Sequence, residues 1–134
     1  MQGRCLCGGV RFEVEPVTYR GIQVCHCGQC RRWGAGPYMA VTAGGETRIV
    51  EGDTLAWYRS STHGERGFCT RCGSVLFWRQ PGAATGWEVS VNALDAEHDL
   101  DIEEHIWIED KPGWYDFADD APRRTAADIL GEDR

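Results

Sequence analysis

The chain has 134 residues, of which 42% are hydrophobic and 26% charged, and its formal net charge is −7. This size suits one domain with a single core, and the near-average composition excludes a disordered, collagen-like or coiled-coil chain. Residues 1–94 carry ten Arg against seven acids, and residues 95–134 carry four basic residues against fourteen acids. The acidic total disfavours a nucleic-acid partner.

The chain shows no sign of secretion or membrane insertion. Its first residues lack an apolar signal-peptide core, and no stretch approaches the ~18 apolar residues that a membrane span needs. We therefore expect a cytoplasmic protein with no membrane partner, in a reducing compartment. Seven cysteines, an odd number, are then better explained as metal ligands or reactive thiols than as disulfides.

Short runs of alternating apolar and polar residues, separated by Gly-, Pro- and Asp-rich turns, predict a mainly β fold. The first run begins after a tight turn at Gly8 and ends before Pro16. The predicted strands are 8–15, 38–42, 48–50, 55–58, 75–79, 87–92 and 104–108. One short helix is predicted over residues 122–130, with a cap at Asp120 and an end at Gly131.

Four cysteines form two close pairs that are far apart in sequence. Cys5 and Cys7 make the first pair, and Cys69 and Cys72 make the second. A tetrahedral four-cysteine zinc site needs two such knuckles, each of which supplies two thiolates. The spacing predicts a structural zinc; a redox Cys-x-x-Cys at Cys69 and Cys72 is the alternative, and it would leave the first pair without partners.

The other three cysteines, Cys25, Cys27 and Cys30, lie within six residues. Three thiolates leave the fourth zinc position without a cysteine, and an open position is typical of a catalytic zinc. The three negative ligands make the metal a weak acid toward water but suit a soft sulfur as fourth ligand. The pattern therefore predicts thiol binding, with Arg31 and Arg32 placed to offset charge or hold a carboxylate.

Histidines provide the alternatives to an open zinc. His26 lies between two of the cysteines, so we assign it a surface position or a role behind the ligands. His63, His98 and His105 are rival fourth ligands, and any of them would make the second zinc structural too. The six tryptophans are expected to be packing residues. They are Trp33, Trp57, Trp78, Trp87, Trp107 and Trp114.

The cysteine pattern and its surroundings resemble a known family. The matching segments are Gly3-x-Cys5-x-Cys7-Gly8-Gly9-Val10-x-Phe12, Cys25-His26-Cys27-x-x-Cys30-Arg31, Phe68-Cys69-x-x-Cys72-Gly73-Ser74, Leu94-Asp95 and His105-Ile106-Trp107 followed by Trp114. They are similar to those of the glutathione-dependent formaldehyde-activating enzymes, whose domain is shared with a centromere protein. The resemblance spans residues 3–122 of a single domain over residues 1–134, with a short acidic C-terminal tail.

This resemblance implies a β-tent zinc-binding fold of short antiparallel strands with zinc knuckles, and two zinc ions per chain. Cys5, Cys7, Cys69 and Cys72 would hold a structural zinc, and Cys25, Cys27 and Cys30 a catalytic one. The implied activity is that of a carbon–sulfur lyase, which condenses formaldehyde or another small aldehyde with glutathione to S-(hydroxymethyl)glutathione. Arg31 is the expected glutathione anchor.

Two other functions stay open at this point. One is a noncatalytic zinc-stabilised scaffold that binds a protein partner, as the centromere relative suggests. The other is an aldehyde-detoxifying protein that uses another thiol or another aldehyde. An exchangeable fourth zinc ligand favours the enzyme, whereas a fourth ligand from the protein favours the scaffold.

Overall fold

The computed structural model describes residues 1–14, 21–95 and 100–132. These residues form ten β-strands, two short α-helices and two 3₁₀ turns. The strands are β1 (Gln2–Arg4), β2 (Arg11–Val14), β3 (Ile22–Cys25), β4 (Tyr38–Thr42), β5 (Thr47–Glu51), β6 (Leu55–Arg59), β7 (Glu65–Cys69), β8 (Val75–Arg79), β9 (Glu88–Ser90) and β10 (Ile102–Ile106). The helices are α1 (Gly28–Gly34) and α2 (Ala126–Glu132), and the 3₁₀ turns are Val91–Ala93 and Ile108–Asp110. The predicted mainly β fold is confirmed.

The chain divides into two compact units, and it passes twice into each of them. The four-cysteine unit comprises the described residues of Met1–Arg20 and Ala40–Asp99. The three-cysteine unit comprises the described residues of Gly21–Met39 and Leu100–Arg134. That the whole chain is one domain stays a prediction.

The four-cysteine unit is built from antiparallel strands. One sheet has the order β1-β2-β5, and a second run of strands has the order β4-β9-β8-β7-β6. In the first sheet Gly3 lies opposite Phe12. A side chain at Gly3 would collide with the Phe12 ring, so the close approach of β1 and β2 requires glycine here.

The core of this unit is an aromatic cluster around Phe77, which is completely buried. The Phe77 ring lies 4.9 Å from Phe12, 5.1 Å from Trp87 and 5.9 Å from Trp57, measured between ring centroids. Gly67 of β7 leaves room for two of these rings, because a Cβ there would lie 3.0 Å from both Phe77 and Trp57. Burial of such rings contributes to the stability of this unit.

The three-cysteine unit contains a parallel strand pair. β3 and β10 run side by side, with Val24 opposite His105 and Cys25 opposite Ile106. Strand β10 ends at Ile106 because Trp107 adopts a left-handed conformation, with φ of 54°. The prediction that this strand continues to Ile108 is therefore wrong at its end.

All three strands that the sequence did not predict border or contain a cysteine. Strand β3 alternates over only four residues, which is too short a pattern to predict a strand, and β7 contains Gly67, next to which its pairing with β8 shifts in register. The third, β1, has only three residues. These strands form because their neighbours pair with them.

The C-terminal helix begins later than expected. Helix α2 begins at Ala126, and Thr125 caps it: its hydroxyl accepts a hydrogen bond from the Asp128 amide at 3.1 Å. The Asp128 carboxylate in turn accepts one from the Thr125 amide at 2.9 Å, which is a reciprocal cap. The predicted start at Pro122 and the cap at Asp120 are wrong, and Gly131 lies inside the helix instead of ending it.

Candidate metal centres

The four-cysteine cluster joins two turns of the four-cysteine unit. Cys5 and Cys7 lie in the turn between β1 and β2, whereas Cys69 ends β7 and Cys72 lies in the turn before β8. All four Sγ atoms lie within 4.8 Å of one another. The Cys7 sulfur is 3.6 Å from that of Cys5 and 3.7 Å from that of Cys69. The fold thus brings together two pairs that are more than sixty residues apart in sequence.

The turns around this cluster direct hydrogen-bond donors at the sulfur atoms. The amide of Val10 donates to Cys5 Sγ at 3.2 Å and that of Gly9 to Cys7 Sγ at 3.4 Å. The hydroxyl of Thr54 lies 3.3 Å from Cys69 Sγ, and that of Ser74 lies 3.2 Å from Cys72 Sγ. These contacts stabilise thiolates, the form that binds a metal.

The pKa values in this cluster diverge, as expected when several thiols share one small space. Hydrogen bonds from the side chain and backbone of Ser74 lower the pKa of Cys72 to about 5. At Cys7 the Gly9 amide lowers the pKa, but burial and the neighbouring cysteine sulfurs raise it to about 11. Four adjacent thiolates repel one another, so a bound cation is needed to ionise all of them together.

The three-cysteine cluster lies at the junction of β3 and α1. Cys25 is the last residue of β3, Cys27 caps α1, and Cys30 is a buried residue of the helix. The Cys27 sulfur accepts a hydrogen bond from the Cys30 amide at 3.3 Å. The three Sγ atoms lie within 4.8 Å of one another.

The three thiols share protons unequally. Hydrogen bonds from the thiols of Cys25 and Cys30 lower the pKa of Cys27 to about 2. Contact with the sulfurs of Cys27 and Cys30 raises the pKa of Cys25 well above its ordinary value. One thiolate is thus stabilised by two neighbouring S–H groups, and a cation would be needed to ionise all three.

Both clusters have a donor set that fits a soft, tetrahedral metal ion, and zinc is the usual occupant of such thiolate sites. In the described part of the chain, no fourth His, Cys, Asp or Glu atom joins the three-cysteine cluster. Of the rival fourth ligands, His105 has both ring nitrogens in hydrogen bonds, His63 is exposed in the four-cysteine unit, and His98 lies outside the described residues.

His26 is completely buried, which excludes the surface position and leaves the other predicted alternative, a role behind the ligands. Its Nδ1 lies 2.7 Å from the Tyr115 hydroxyl, and its Nε2 lies 2.8 Å from Nδ1 of His105. Nε2 of His105 lies 3.0 Å from the Asp119 carboxylate. The sequence did not predict this chain of side chains, since Tyr115 and Asp119 lie in a segment without regular strands or helices.

Arg31, the expected glutathione anchor, lies beside the cysteine turn. Arg31 is half-buried, and its Nε donates to the backbone carbonyl of His26 at 3.3 Å, so the guanidinium is held beside the cysteine turn. Arg32 is exposed.

Trp114 is 80% exposed, so the expectation that it is a packing residue is wrong, whereas Trp87 is buried as expected.

In the described residues, no helix has the length and apolar character that crossing a membrane would require.

Comparison with known proteins identifies the relatives of this chain. The family model of the glutathione-dependent formaldehyde-activating enzyme matches residues 1–110. An uncharacterized lyase of Schizosaccharomyces pombe is 26% identical over 132 residues, which cover 96% of this chain and 93% of that protein. A Halomonas elongata protein, provisionally named a glutathione-dependent formaldehyde-activating enzyme, is 30% identical over 130 residues. The match covers 87% of this chain and 80% of that protein.

A solved structure has a similar fold. The crystal structure of a Rhodobacter sphaeroides protein superimposes with a TM-score of 0.62 at 26% identity. The match covers 92% of this chain and 99% of that one.

Proposed function

Because the chain belongs to the family of glutathione-dependent formaldehyde-activating enzymes, we propose that it condenses formaldehyde, or another small aldehyde, with glutathione at the three-cysteine cluster. The chain is an enzyme of the carbon–sulfur lyase kind. The product is S-(hydroxymethyl)glutathione, and the same site catalyses the reverse cleavage. Glutathione and formaldehyde are the compounds in the name of the family.

One observation supports this site above all others. Cys25, Cys27 and Cys30 converge on one point, and no fourth described protein ligand joins them. A metal held this way keeps a position for an exchangeable ligand, whereas the four-cysteine cluster fills a tetrahedral set by itself. We therefore assign a catalytic zinc to the three-cysteine cluster and a structural zinc to Cys5, Cys7, Cys69 and Cys72.

The bound zinc supplies a soft cation that can hold a sulfur or polarise a carbonyl oxygen. The residues of the protein bind and orient the substrates. Arg31, held by the His26 carbonyl, offers its guanidinium to a glutathione carboxylate. The rigid turn from Cys25 to Cys30 fixes the three thiolates, so that thiol and aldehyde meet in one orientation.

We assign the protein to the cytoplasm, because none of its seven cysteines, all of which are among the described residues, forms a disulfide. Small molecules are its proposed partners, namely a thiol and an aldehyde, with neither nucleic acid nor membrane among them.

The test combines metal analysis with binding and turnover. Purified protein should contain two zinc ions per chain and bind glutathione in calorimetry. Exchange between free and glutathione-bound ¹³C-formaldehyde, followed by NMR, should accelerate when the protein is added. Cys27→Ala should retain one zinc and lose both glutathione binding and exchange.

Two results would contradict this proposal. If both zinc ions resist mild chelation and glutathione does not bind, the three-cysteine centre is closed, and the scaffold function with a protein partner becomes the better explanation. If exchange accelerates only with another thiol or aldehyde, the site is correct and the named substrates are wrong.

A further inference from the structure

Every polar atom of His26 has a partner within the three-cysteine unit. Its backbone amide donates to the Ile106 carbonyl at 3.1 Å, and its carbonyl accepts a hydrogen bond from Arg31 Nε at 3.3 Å. Its ring nitrogens lie 2.7 Å from the Tyr115 hydroxyl and 2.8 Å from Nδ1 of His105. Because the residue is completely buried, water does not compete for these four contacts, and they fix both its backbone and its ring.

This fixed residue lies between two of the proposed metal ligands. Cys25 precedes His26 and Cys27 follows it, and the sulfurs of the two cysteines lie within 4.8 Å of each other. A displacement of the backbone at His26 would therefore move both sulfurs. A ligand set that is already in place does not have to be ordered when the metal binds, so its affinity for the metal is higher.

Tyr115 holds the imidazole of His26 from the segment that follows β10. The two rings are stacked with their centroids 5.6 Å apart. The Tyr115 ring also packs edge-on against Phe117, and Nζ of Lys111 lies 5.2 Å from its centroid. Either the hydroxyl or the ring nitrogen can donate in the bond to His26, so this bond forms with both neutral forms of the imidazole. Tyr115 is thus placed by its ring and acts on His26 through one oxygen.

The far end of the same segment is tied to the second histidine. His105 Nε2 lies 3.0 Å from the Asp119 carboxylate, which accepts hydrogen bonds from the Ala121 amide at 3.0 Å and from Arg123 at 3.3 Å. Arg123 also donates to the Phe117 carbonyl at 3.1 Å. The segment is therefore closed on itself beside the buried histidines, and it lies beyond residues 1–110, which the family model matches.

We infer that Tyr115 is a positioning residue for the metal of the three-cysteine cluster: its hydroxyl holds the ring of His26, and His26 holds the turn on which two of the cysteines lie. The inference rests on the proposed function in that it needs a metal at this cluster, but it does not depend on which thiol or aldehyde the site takes. Groups that orient metal ligands from behind commonly change the metal affinity by about tenfold to a hundredfold when they are removed.

Two variants isolate this role. Tyr115→Phe keeps the stacked ring and removes only the oxygen that bonds to His26, at a half-buried position. Thr125→Ala is the matched control in the same unit. It removes the hydroxyl that caps α2, whose bond is to the Asp128 amide and not to His26 or its partners, so it should lower the stability without changing the metal site.

The first measurement follows the transfer of zinc from the zinc-loaded protein to a chromophoric chelator, without glutathione. The wild type should release one ion more readily than the other, and Cys27→Ala, which should lack that ion, assigns it to the three-cysteine cluster. In Tyr115→Phe this ion should bind at least about tenfold more weakly, while the ion of the four-cysteine cluster is unchanged. Thr125→Ala should match the wild type for both ions. An unchanged affinity in Tyr115→Phe, equal weakening of its two ions, or the same loss in Thr125→Ala overturns the inference.

The second measurement is a spectroscopic signature of each cluster. Protein loaded with ¹¹³Cd²⁺, a soft ion that thiolates bind, should give two cadmium resonances, one from the four-sulfur set and one from the three-sulfur set. Tyr115→Phe should shift or broaden the resonance of the three-cysteine cluster, because its sulfurs are no longer held in one arrangement, and leave the other resonance in place. Thr125→Ala, which destabilises the same unit, should leave both in place. Two unchanged resonances in Tyr115→Phe contradict a positioning role.

The outcomes also separate this inference from the proposed function. If the three-cysteine cluster binds no metal, both are wrong. If Tyr115→Phe weakens the metal as expected but the wild type binds no glutathione, the inference stands and the proposed function fails. If the wild type binds glutathione and catalyses exchange while Tyr115→Phe keeps its zinc with the wild-type affinity, the function stands and this inference alone is wrong.

Discussion

The two units hold their cysteines in different ways. In the four-cysteine unit the turns themselves supply donors to the sulfurs, from the amides of Val10 and Gly9 and the hydroxyls of Thr54 and Ser74. In the three-cysteine unit the Cys30 amide donates to the Cys27 sulfur, and the turn is also held through His26, which has buried His105 and half-buried Tyr115 as partners. Four sulfurs that each have a donor make a complete set for a structural metal, whereas three sulfurs leave a fourth position for a ligand.

The largest expected effect is the loss of one ligand from the four-cysteine cluster. Cys69→Ala should destabilise the protein by about 4 kcal/mol or more, because a zinc at the proposed structural site would contribute directly to folding and Cys69 links two distant turns. Thermal unfolding by circular dichroism, with zinc content in parallel, measures this. If the variant lost this zinc but still unfolded at the wild-type temperature, the metal of the four-cysteine cluster would not be structural.

Loss of one ligand from the three-cysteine cluster should destabilise the protein much less. Cys27→Ala should lower the free energy of unfolding by at most about 2 kcal/mol, since it removes a half-exposed side chain and one helix cap. The zinc of the four-cysteine cluster should remain bound. Chemical denaturation of both variants under the same conditions makes the comparison, and equal losses would mean that both metals are structural.

Arg31 and Arg32 provide a matched pair of variants with which to test glutathione binding. Arg31→Ala should weaken glutathione binding by about tenfold, the value of one hydrogen bond to a charged group. Arg32→Ala, which removes an exposed guanidinium one residue later, should leave the affinity nearly unchanged. Calorimetry at one ionic strength distinguishes them; equal weakening would indicate only a general attraction of charges.

The smallest expected effect concerns an ion pair in the four-cysteine unit. The Gly82 amide lowers the pKa of Glu65; burial opposes this, and Arg79 lowers the pKa further. Since the folded pKa lies below the unfolded one, Glu65 adds stability above the unfolded pKa and loses it as pH falls through the folded pKa. Glu65→Gln should therefore be less stable by about 1 kcal/mol at pH 7, and the difference from the wild type should narrow as the pH falls toward the folded pKa of Glu65.

The Glu65–Arg79 pair also shows whether contacts away from the cysteines stabilise the four-cysteine unit. Arg79 lies 3.6 Å above the Trp57 ring, so the guanidinium keeps an aromatic partner when the carboxylate is neutralised. Denaturation curves at falling pH, down to the lowest value at which both proteins retain their zinc, give the difference. A difference that does not narrow as the pH falls would mean that Gln at this position disturbs packing and not charge.

Much of the fold could be predicted because its signals are local. Strand β2 and strands β4, β6 and β8 show alternation or apolar runs bounded by turn residues, and the sequence places them within a few residues. Strand β3 lacked such a signal because four residues carry too little pattern, and it is defined by its parallel partner β10. The C-terminal helix was placed too early because Thr125 and Asp128 cap it and Asp120 does not.

For this protein the sequence by itself determined which cysteines belong together, because short spacing on tight turns allows few other arrangements. It also determined the family, through the order of those turns along the chain. Tertiary structure alone decided what surrounds them: His26 is buried, and Tyr115 and His105 form hydrogen bonds with it from 89 and 79 residues away in sequence. A hydrogen bond between distant segments depends on how strands pair and pack, and no local pattern in the chain records it.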